Sequence, residues 1–132
     1  MPRYKTNNEQ LNSNDRYSEY YRENLFDKEI WGPKLWEVMH TFSYAYPIQP
    51  NNVEKQSAIN FLSSIGHLIP CKHCSQHCIE YTRHHPPQVQ NKESLINWVY
   101  TFHNEVNKRL GKPHYSKQQL DQKYDNVAFC RS

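Results

Sequence analysis

The chain has 132 residues, which is enough for one compact domain and too few for two of ordinary size. Its net charge of +3 is small and its basic residues are interspersed with acidic ones, so nucleic-acid binding is not indicated. No stretch approaches the roughly 20 apolar residues that cross a bilayer, and the N-terminal segment lacks the apolar core of a secretory signal. We therefore expect a soluble protein with a single site and no membrane span.

The predicted elements are all helical. Residues 1–25 are polar and lack an apolar period, which predicts a flexible N-terminal arm. Apolar stripes with helical spacing then predict four helices, which begin near Ile30, Ala58, Cys71 and Leu95 and end before Pro47, Pro70, Pro86 and Gly111. A short fifth helix is expected at residues 117–124, within a C-terminal segment that spans 116–132. Because no segment alternates with period two, we predict an all-α fold, a four-helix bundle with a short fifth helix, whose main domain spans 26–115.

Three of the four cysteines are clustered. Cys71, Cys74 and Cys78 lie within eight residues, whereas Cys130 is far away in sequence. This clustering argues against a secreted disulfide framework and favours redox chemistry or metal binding. The spacing of Cys71 and Cys74 places two sulfurs on one helical turn, where they can form a disulfide or share a metal.

The surroundings of the pair favour a reactive thiolate but leave a second interpretation open. A helix N-terminus supplies unpaired N–H groups and partial positive charge, and Lys72, His73 and His77 are close in sequence. The alternative is a structural zinc site that would make the chain an interaction module. Its candidate ligands are Cys71, Cys74 and Cys78 with one of His73, His77 and His84. The cluster alone does not choose between them.

Two segments that flank the cysteine cluster help to decide between a redox pair and a zinc site. Residues 31–40 read WGPKLWEVMH and residues 103–113 read HNEVNKRLGKP, with PCKHC between them at 70–74. In order and spacing these segments are similar to the WGxxxWxxxH, PCxxC and HNxVNxxLGKP motifs of the Erv/ALR sulfhydryl oxidases. The resemblance covers about residues 30–115 and favours the redox interpretation over zinc, so that no metal is expected.

Helical spacing supports a ligand site independently. Trp36 and His40 are four residues apart and share a helix face, and His103 and Asn107 repeat that geometry on the fourth helix. Each of them taken alone fits an ordinary core role. Four such groups converging beside a dithiol favour a flat heteroaromatic ligand.

The resemblance implies a helical bundle that holds FAD non-covalently, and the absence of a GxGxxG motif agrees with this. The residues that it assigns to the cofactor are Gly32, Trp36, His40, Tyr44, Trp98, His103, Asn104, Val106, Asn107 and Lys112. Those assigned to the adenine and ribose are Trp36, His40, His103 and Asn107. Tyr44 and Trp98 are expected near the flavin, and Lys112 near the phosphates.

The activity implied by the resemblance is that of an FAD-dependent thiol oxidase, which forms disulfides in substrate proteins and passes electrons to O2 to give H2O2. Cys71 would face the substrate and Cys74 the flavin. A degenerate member that binds FAD without turnover is an alternative. Cys78 either resolves or protects the pair or fills core space. Cys130 is a single-thiol relay, an intersubunit bridge or a free surface thiol.

The resemblance also implies a homodimer formed through the first helices. Members of the family occur in the mitochondrial intermembrane space, in secretory compartments and in large DNA viruses. Because Cys130 has no partner in its own tail, the chain resembles the compact viral members most. We therefore expect it in the host cytoplasm or the virion of a large DNA virus, with the mitochondrial intermembrane space as the alternative.

Overall fold

The computed structural model describes residues 26–125, where it contains five α-helices and no strand. The helices are α1 (Lys28–Ala45), α2 (Asn52–Leu68), α3 (Lys72–His84), α4 (Lys92–Leu110) and α5 (Lys117–Tyr124). The predicted all-α fold with a short fifth helix is thereby confirmed. The predicted N-terminal arm and Cys130 lie outside the described residues. Between 26 and 125 no helix is long and apolar enough to cross a membrane.

Helix α2 begins well before the apolar stripe that predicted it. The stripe starts at Ala58, whereas the helix starts at Asn52. The side chain of Asn51 accepts the backbone N–H of Glu54 at 2.8 Å, and the Glu54 carboxylate accepts the backbone N–H of Asn51 at 3.0 Å. This capping box stabilises the first turns of α2, which precede the apolar stripe. Because these turns contain no residue of the stripe, apolar periodicity could not detect that the helix begins there.

The connection from α4 to α5 is held by two features of its sequence. Gly111 ends α4 with φ 68°, a left-handed conformation that favours glycine. The Asn104 side chain then donates to the backbone carbonyl of Tyr115 and accepts its N–H, both at 2.9 Å. The loop therefore folds back on α4 and carries α5 against α1, where Leu120 and Tyr124 are buried.

Helix α3, which carries the cysteine cluster, packs closely on α2 at Gly66. A Cβ at Gly66 would lie 2.9 Å from the side chain of Ile79 and 3.2 Å from the Cβ of Cys78. The Ser75 hydroxyl donates to the Gly66 carbonyl at 2.5 Å. Helix α4 packs on α1 and completes the core, in which Val99 is 1% exposed. This close packing fixes the position of α3 relative to the rest of the bundle.

Candidate active site

The cysteine pair lies at the N-terminus of α3. Cys71 and Cys74 are joined by a disulfide, with their Cα atoms 5.2 Å apart. Cys71 occupies the N-cap position, and its sulfur accepts the backbone N–H of Cys74 at 3.2 Å. An opened bond would thus leave the Cys71 sulfur beside the positive end of the helix dipole, which stabilises a thiolate.

A large cavity reaches the inner half of this pair. It has a volume of about 520 Å³, within the range of pockets for organic ligands, and it lies among α1, α3, α4 and α5. From α3 it is lined by Cys74, His77 and Cys78, whereas Cys71 does not line it. The predicted cofactor residues that line it are Gly32, Trp36, His40, His103, Val106, Asn107 and Lys112. The structure therefore brings most of the predicted ligand set and Cys74 to one cavity.

Two buried histidines lie at the wall of the cavity. The Nε2 of His40 and the Nδ1 of His103 are hydrogen-bonded at 2.8 Å. His40 is 2% exposed and His103 is 8% exposed. The indole of Trp36 stacks on His103 with ring centroids 4.1 Å apart and planes inclined by 7°. Aromatic planes and hydrogen-bonding ring edges are thus presented together, which suits a flat heteroaromatic ligand.

Two polar atoms of the cavity residues lack partners. The Nδ1 of His40 and the Nδ2 of Asn107 are buried without a hydrogen bond. A buried polar atom without a hydrogen bond lowers the free energy of unfolding by roughly 1–3 kcal/mol. A ligand that accepted or donated hydrogen bonds at these atoms would recover that cost, so they mark the part of the cavity that binds polar groups.

The histidine pair makes stability sensitive to acid. Burial first, and then the charge of Lys123, lowers the pKa of His40 from 6.5 to about 4. Burial also lowers the pKa of His103 from 6.5 to about 3, with smaller effects from His40, Lys112 and Lys123. The unfolded chain therefore binds more protons than the folded chain below pH 6.5. We expect the free energy of unfolding to fall on the order of 3 kcal/mol as the pH falls from 6.5 toward 4.

Urea unfolding of the apoprotein at a series of pH values measures this effect. His103→Asn should unfold with a shallower pH dependence because one buried neutral imidazole is gone. The exposed His84→Gln substitution is the matched control and should keep the full dependence. Identical pH profiles for His103→Asn and the unsubstituted protein would contradict the assignment.

Three predicted cofactor residues do not line the cavity. The Tyr44 hydroxyl donates to the carboxylate of Asp121 at 2.7 Å and so ties α1 to α5. The Trp98 indole N–H donates to the carbonyl of His85 at 2.9 Å, behind the cavity wall. Asn104 is engaged with the backbone of the α4–α5 loop. A family resemblance indicates which positions surround the cofactor, but it does not separate a residue that lines the cavity from one that supports its wall.

The predicted phosphate ligand Lys112 lines the cavity and pairs with a carboxylate there. Its ammonium lies 3.1 Å from Glu29, and both side chains are about half exposed. Arg109, which the motifs did not single out, also lines the cavity. Exposed ion pairs of this kind contribute little to stability. An anionic ligand can therefore displace Glu29 from Lys112 with little loss of free energy.

Sequence reasoning missed the contribution of α5. Leu120, Lys123 and Tyr124 line the cavity, and the ring of Tyr124 lies 5.4 Å from that of His40. Leu120 and Tyr124 are four residues apart, and this spacing indicates that they share one buried face. The sequence therefore contained a sign that α5 packs, although not that it closes the cavity.

The zinc interpretation requires the clustered cysteines to converge on one ion. Instead Cys71 and Cys74 are bonded to each other, and Cys78 is buried against α2. Burial raises the pKa of the Cys78 thiol to about 11, so this sulfur stays protonated. Over residues 26–125 no group of three or more His, Cys, Asp or Glu side chains is arranged to hold a metal ion.

Fold and site together define a class of protein: a helical bundle in which one half of a disulfide lines a large cavity. Residues 33–125 match the Erv1/Alr family, and the chain belongs to this family. The resemblance found in the three sequence motifs is thereby confirmed.

Named relatives and a solved structure support this family membership. The chain is 36% identical over 89 residues to the mitochondrial FAD-linked sulfhydryl oxidase ERV1 of Saccharomyces cerevisiae, covering 67% of this chain and 47% of that protein. It is 37% identical over 82 residues to an FAD-linked sulfhydryl oxidase of African swine fever virus, covering 62% and 69%. The crystal structure of the FAD binding domain of yeast Erv1 superposes with a TM-score of 0.72 at 32% identity, covering 76% of this chain and 95% of that one. The chain thus spans about half the length of the yeast relative.

Proposed function

We propose that this chain is an FAD-linked sulfhydryl oxidase that generates disulfide bonds in substrate proteins. One observation carries the proposal: a single cavity is lined by Trp36, His40, His103 and Asn107 and also by Cys74, the inner half of a disulfide. A flavin bound in this cavity would lie within reach of the Cys74 sulfur, which would exchange electrons with thiols. The names of the yeast and viral relatives support the same activity.

The residues present fit FAD. The unpartnered polar atoms of His40 and Asn107 need a ligand with hydrogen-bonding edges. The stacked rings of Trp36 and His103 provide a surface for a planar heterocycle. We assign these four residues to the adenine and ribose, and Lys112 to the phosphates. Tyr44, Trp98 and Asn104 support the wall from behind.

Bound FAD would supply a two-electron acceptor, from which O2 takes the electrons to form H2O2. The chain's own part begins when a substrate thiolate attacks Cys71, which lies outside the cavity, and releases the Cys74 sulfur. A second substrate thiol resolves the mixed disulfide and leaves both cysteines reduced. The N-cap position then keeps Cys71 as a thiolate, and Cys74 delivers the electron pair into the cavity as the disulfide forms again.

Absorbance and metal analysis of the purified protein separate the competing functions. A yellow protein that consumes oxygen with dithiothreitol is the expected result. A yellow protein without oxygen uptake would indicate a family member that binds FAD without turnover. A colourless protein with stoichiometric zinc would contradict the proposal and would instead support a zinc-stabilised interaction module.

The proposed homodimer is supported by an apolar face on α1 and α2. Phe42 is 55% exposed and Phe61 37%, their ring centroids are 5.5 Å apart, and a mostly apolar groove of about 460 Å³ lies beside them. A second copy of this chain would cover the face.

Sedimentation tests this assembly. We expect the unsubstituted protein to sediment as a dimer and Phe42→Lys as a monomer, because a lysine there would be desolvated in the interface. Thr101→Lys on the exposed side of α4 is the matched control and should remain dimeric. A monomeric unsubstituted protein, or a dimeric Phe42→Lys variant, would contradict this face as the interface.

For localisation we propose the host cytoplasm or the virion of a large DNA virus. The African swine fever virus relative supports this placement, since the chain spans 69% of it. The yeast relative, a mitochondrial protein, fits the alternative of the mitochondrial intermembrane space. Fractionation of cells that contain the protein, followed by immunoblotting, distinguishes the two.

A further inference from the structure

One imidazole lines both the large cavity that Cys74 borders and a smaller cleft next to it. His77 follows Cys74 by three residues, so the two side chains share a face of α3, and both line the large cavity. His77 also lines a second, smaller cleft of about 240 Å³ between α3 and α4, which Glu80, His84 and Glu105 border. It therefore belongs to the wall that separates the cofactor cavity from this cleft.

The surroundings of His77 disfavour protonation of its ring. The ring packs edge-on against that of His73, with centroids 4.5 Å apart, and Arg109 faces it from α4. Partial burial and the charges of Arg109 and His73 lower the pKa of His77 below its ordinary value, and Glu80 opposes them. At neutral pH the ring therefore has a free nitrogen lone pair with which it can accept a proton.

Three other titratable groups that line the large cavity, Cys78, His40 and His103, are poor proton acceptors. His73, next to Cys74 in sequence, does not line this cavity. Burial raises the pKa of the Cys78 thiol to about 11, so this sulfur holds its own proton. His40 and His103 have pKa values lowered to about 4 and 3 and are hydrogen-bonded to each other. Oxidising the reduced pair nevertheless requires that the Cys74 thiol lose its proton, because the thiolate is the species that reacts.

We propose that His77 accepts the proton of the reduced Cys74 thiol and releases it to solvent through the cleft between α3 and α4. This inference rests on the proposed function, which supplies the electron acceptor. The S–H bond of Cys74 breaks, and the disulfide between Cys74 and the Cys71 thiolate forms. Bound flavin would supply the acceptor for the electron pair and would take up one proton from solvent. The Cys74 proton leaves through His77, whereas Cys71 is already a thiolate and has no proton to release.

Anaerobic mixing of the FAD-loaded protein with dithiothreitol between pH 6 and 10 tests the proposal. We expect His77→Gln to slow flavin bleaching at least ~10-fold at pH 7. The difference should vanish near pH 10, where the thiol ionises without a base. His67→Gln, an exposed position on α2 outside both the large cavity and the cleft, is the matched control and should follow the unsubstituted protein. Equal slowing at every pH would indicate a structural role, and no slowing would remove the role altogether; either result overturns the proposal.

A second readout does not depend on the flavin. The reduced protein is alkylated with iodoacetamide at the same pH values, and the modified peptides are identified by mass spectrometry. Cleavage after Lys72 separates Cys71 from Cys74, and fragment ions separate Cys74 from Cys78. The pH midpoint for alkylation of Cys74 should rise in His77→Gln and stay unchanged in His67→Gln. An unchanged midpoint in His77→Gln overturns the inference, whereas an unsubstituted protein that never bleaches overturns the proposed function instead.

Discussion

Cys74→Ser is expected to abolish oxygen consumption with dithiothreitol while FAD stays bound. Cys74 is the half of the disulfide that lines the cavity. We therefore propose that electrons pass from Cys71 to the flavin through the Cys74 sulfur. A serine oxygen preserves the size and polarity of the side chain but cannot form the disulfide. An oxygen electrode measures the loss of turnover, and the visible absorbance of the purified variant measures the retained FAD.

The matched control is a third cysteine on the same helix. Cys78 is 7% exposed and keeps its proton, so Cys78→Ala should retain turnover, at a stability cost typical of a small core truncation. Turnover that persists in Cys74→Ser would contradict the proposed path. Turnover lost equally in Cys78→Ala would show that the region, rather than one sulfur, is required.

Asn107→Leu is expected to weaken FAD binding about tenfold or more while stabilising the apoprotein. The Nδ2 of Asn107 is buried without a partner, so the apoprotein bears the cost of that amide. Leucine removes this cost and also removes the atom that we assign to the cofactor. Titration of the apoprotein with FAD measures the affinity, and urea unfolding without FAD measures the stability.

Asn104 provides the matched control in the same motif. Its amide is satisfied by two hydrogen bonds to Tyr115, so Asn104→Leu should destabilise the apoprotein by about 2 kcal/mol. The two substitutions are therefore expected to change apoprotein stability in opposite directions. Destabilisation of similar size in both variants would mean that Asn107 supports the fold, as Asn104 does, rather than the cofactor.

Much of the fold could be predicted because apolar periodicity reports burial directly. The stripe ending at Leu110 and the left-handed Gly111 located the end of α4, and the fifth helix was predicted at its observed position. Periodicity could not locate the start of α2, which depends on the side chains of Asn51 and Glu54 rather than on burial. Nor could it identify Gly66, whose role arises from the approach of α3 in three dimensions.

The candidate site was predictable in its members but not in their arrangement. The motifs identified both Asn104 and Asn107, yet only the folded chain distinguishes the satisfied amide from the unpartnered one. His77 was noted for its charge near the thiols, whereas its place between two cavities depends on the packing of α3 against α4. Such differences arise from tertiary contacts, which a pattern along one chain does not encode.

The central claim is that Cys74 passes electrons from substrate thiols to FAD bound in the cavity. Anaerobic titration of the purified, yellow protein with dithiothreitol, followed by visible absorbance, tests it most directly. The flavin band should bleach as reductant is added, and it should remain in Cys74→Ser under the same conditions. A protein that binds no flavin, or a Cys74→Ser variant that bleaches as readily as the unsubstituted protein, would contradict the claim.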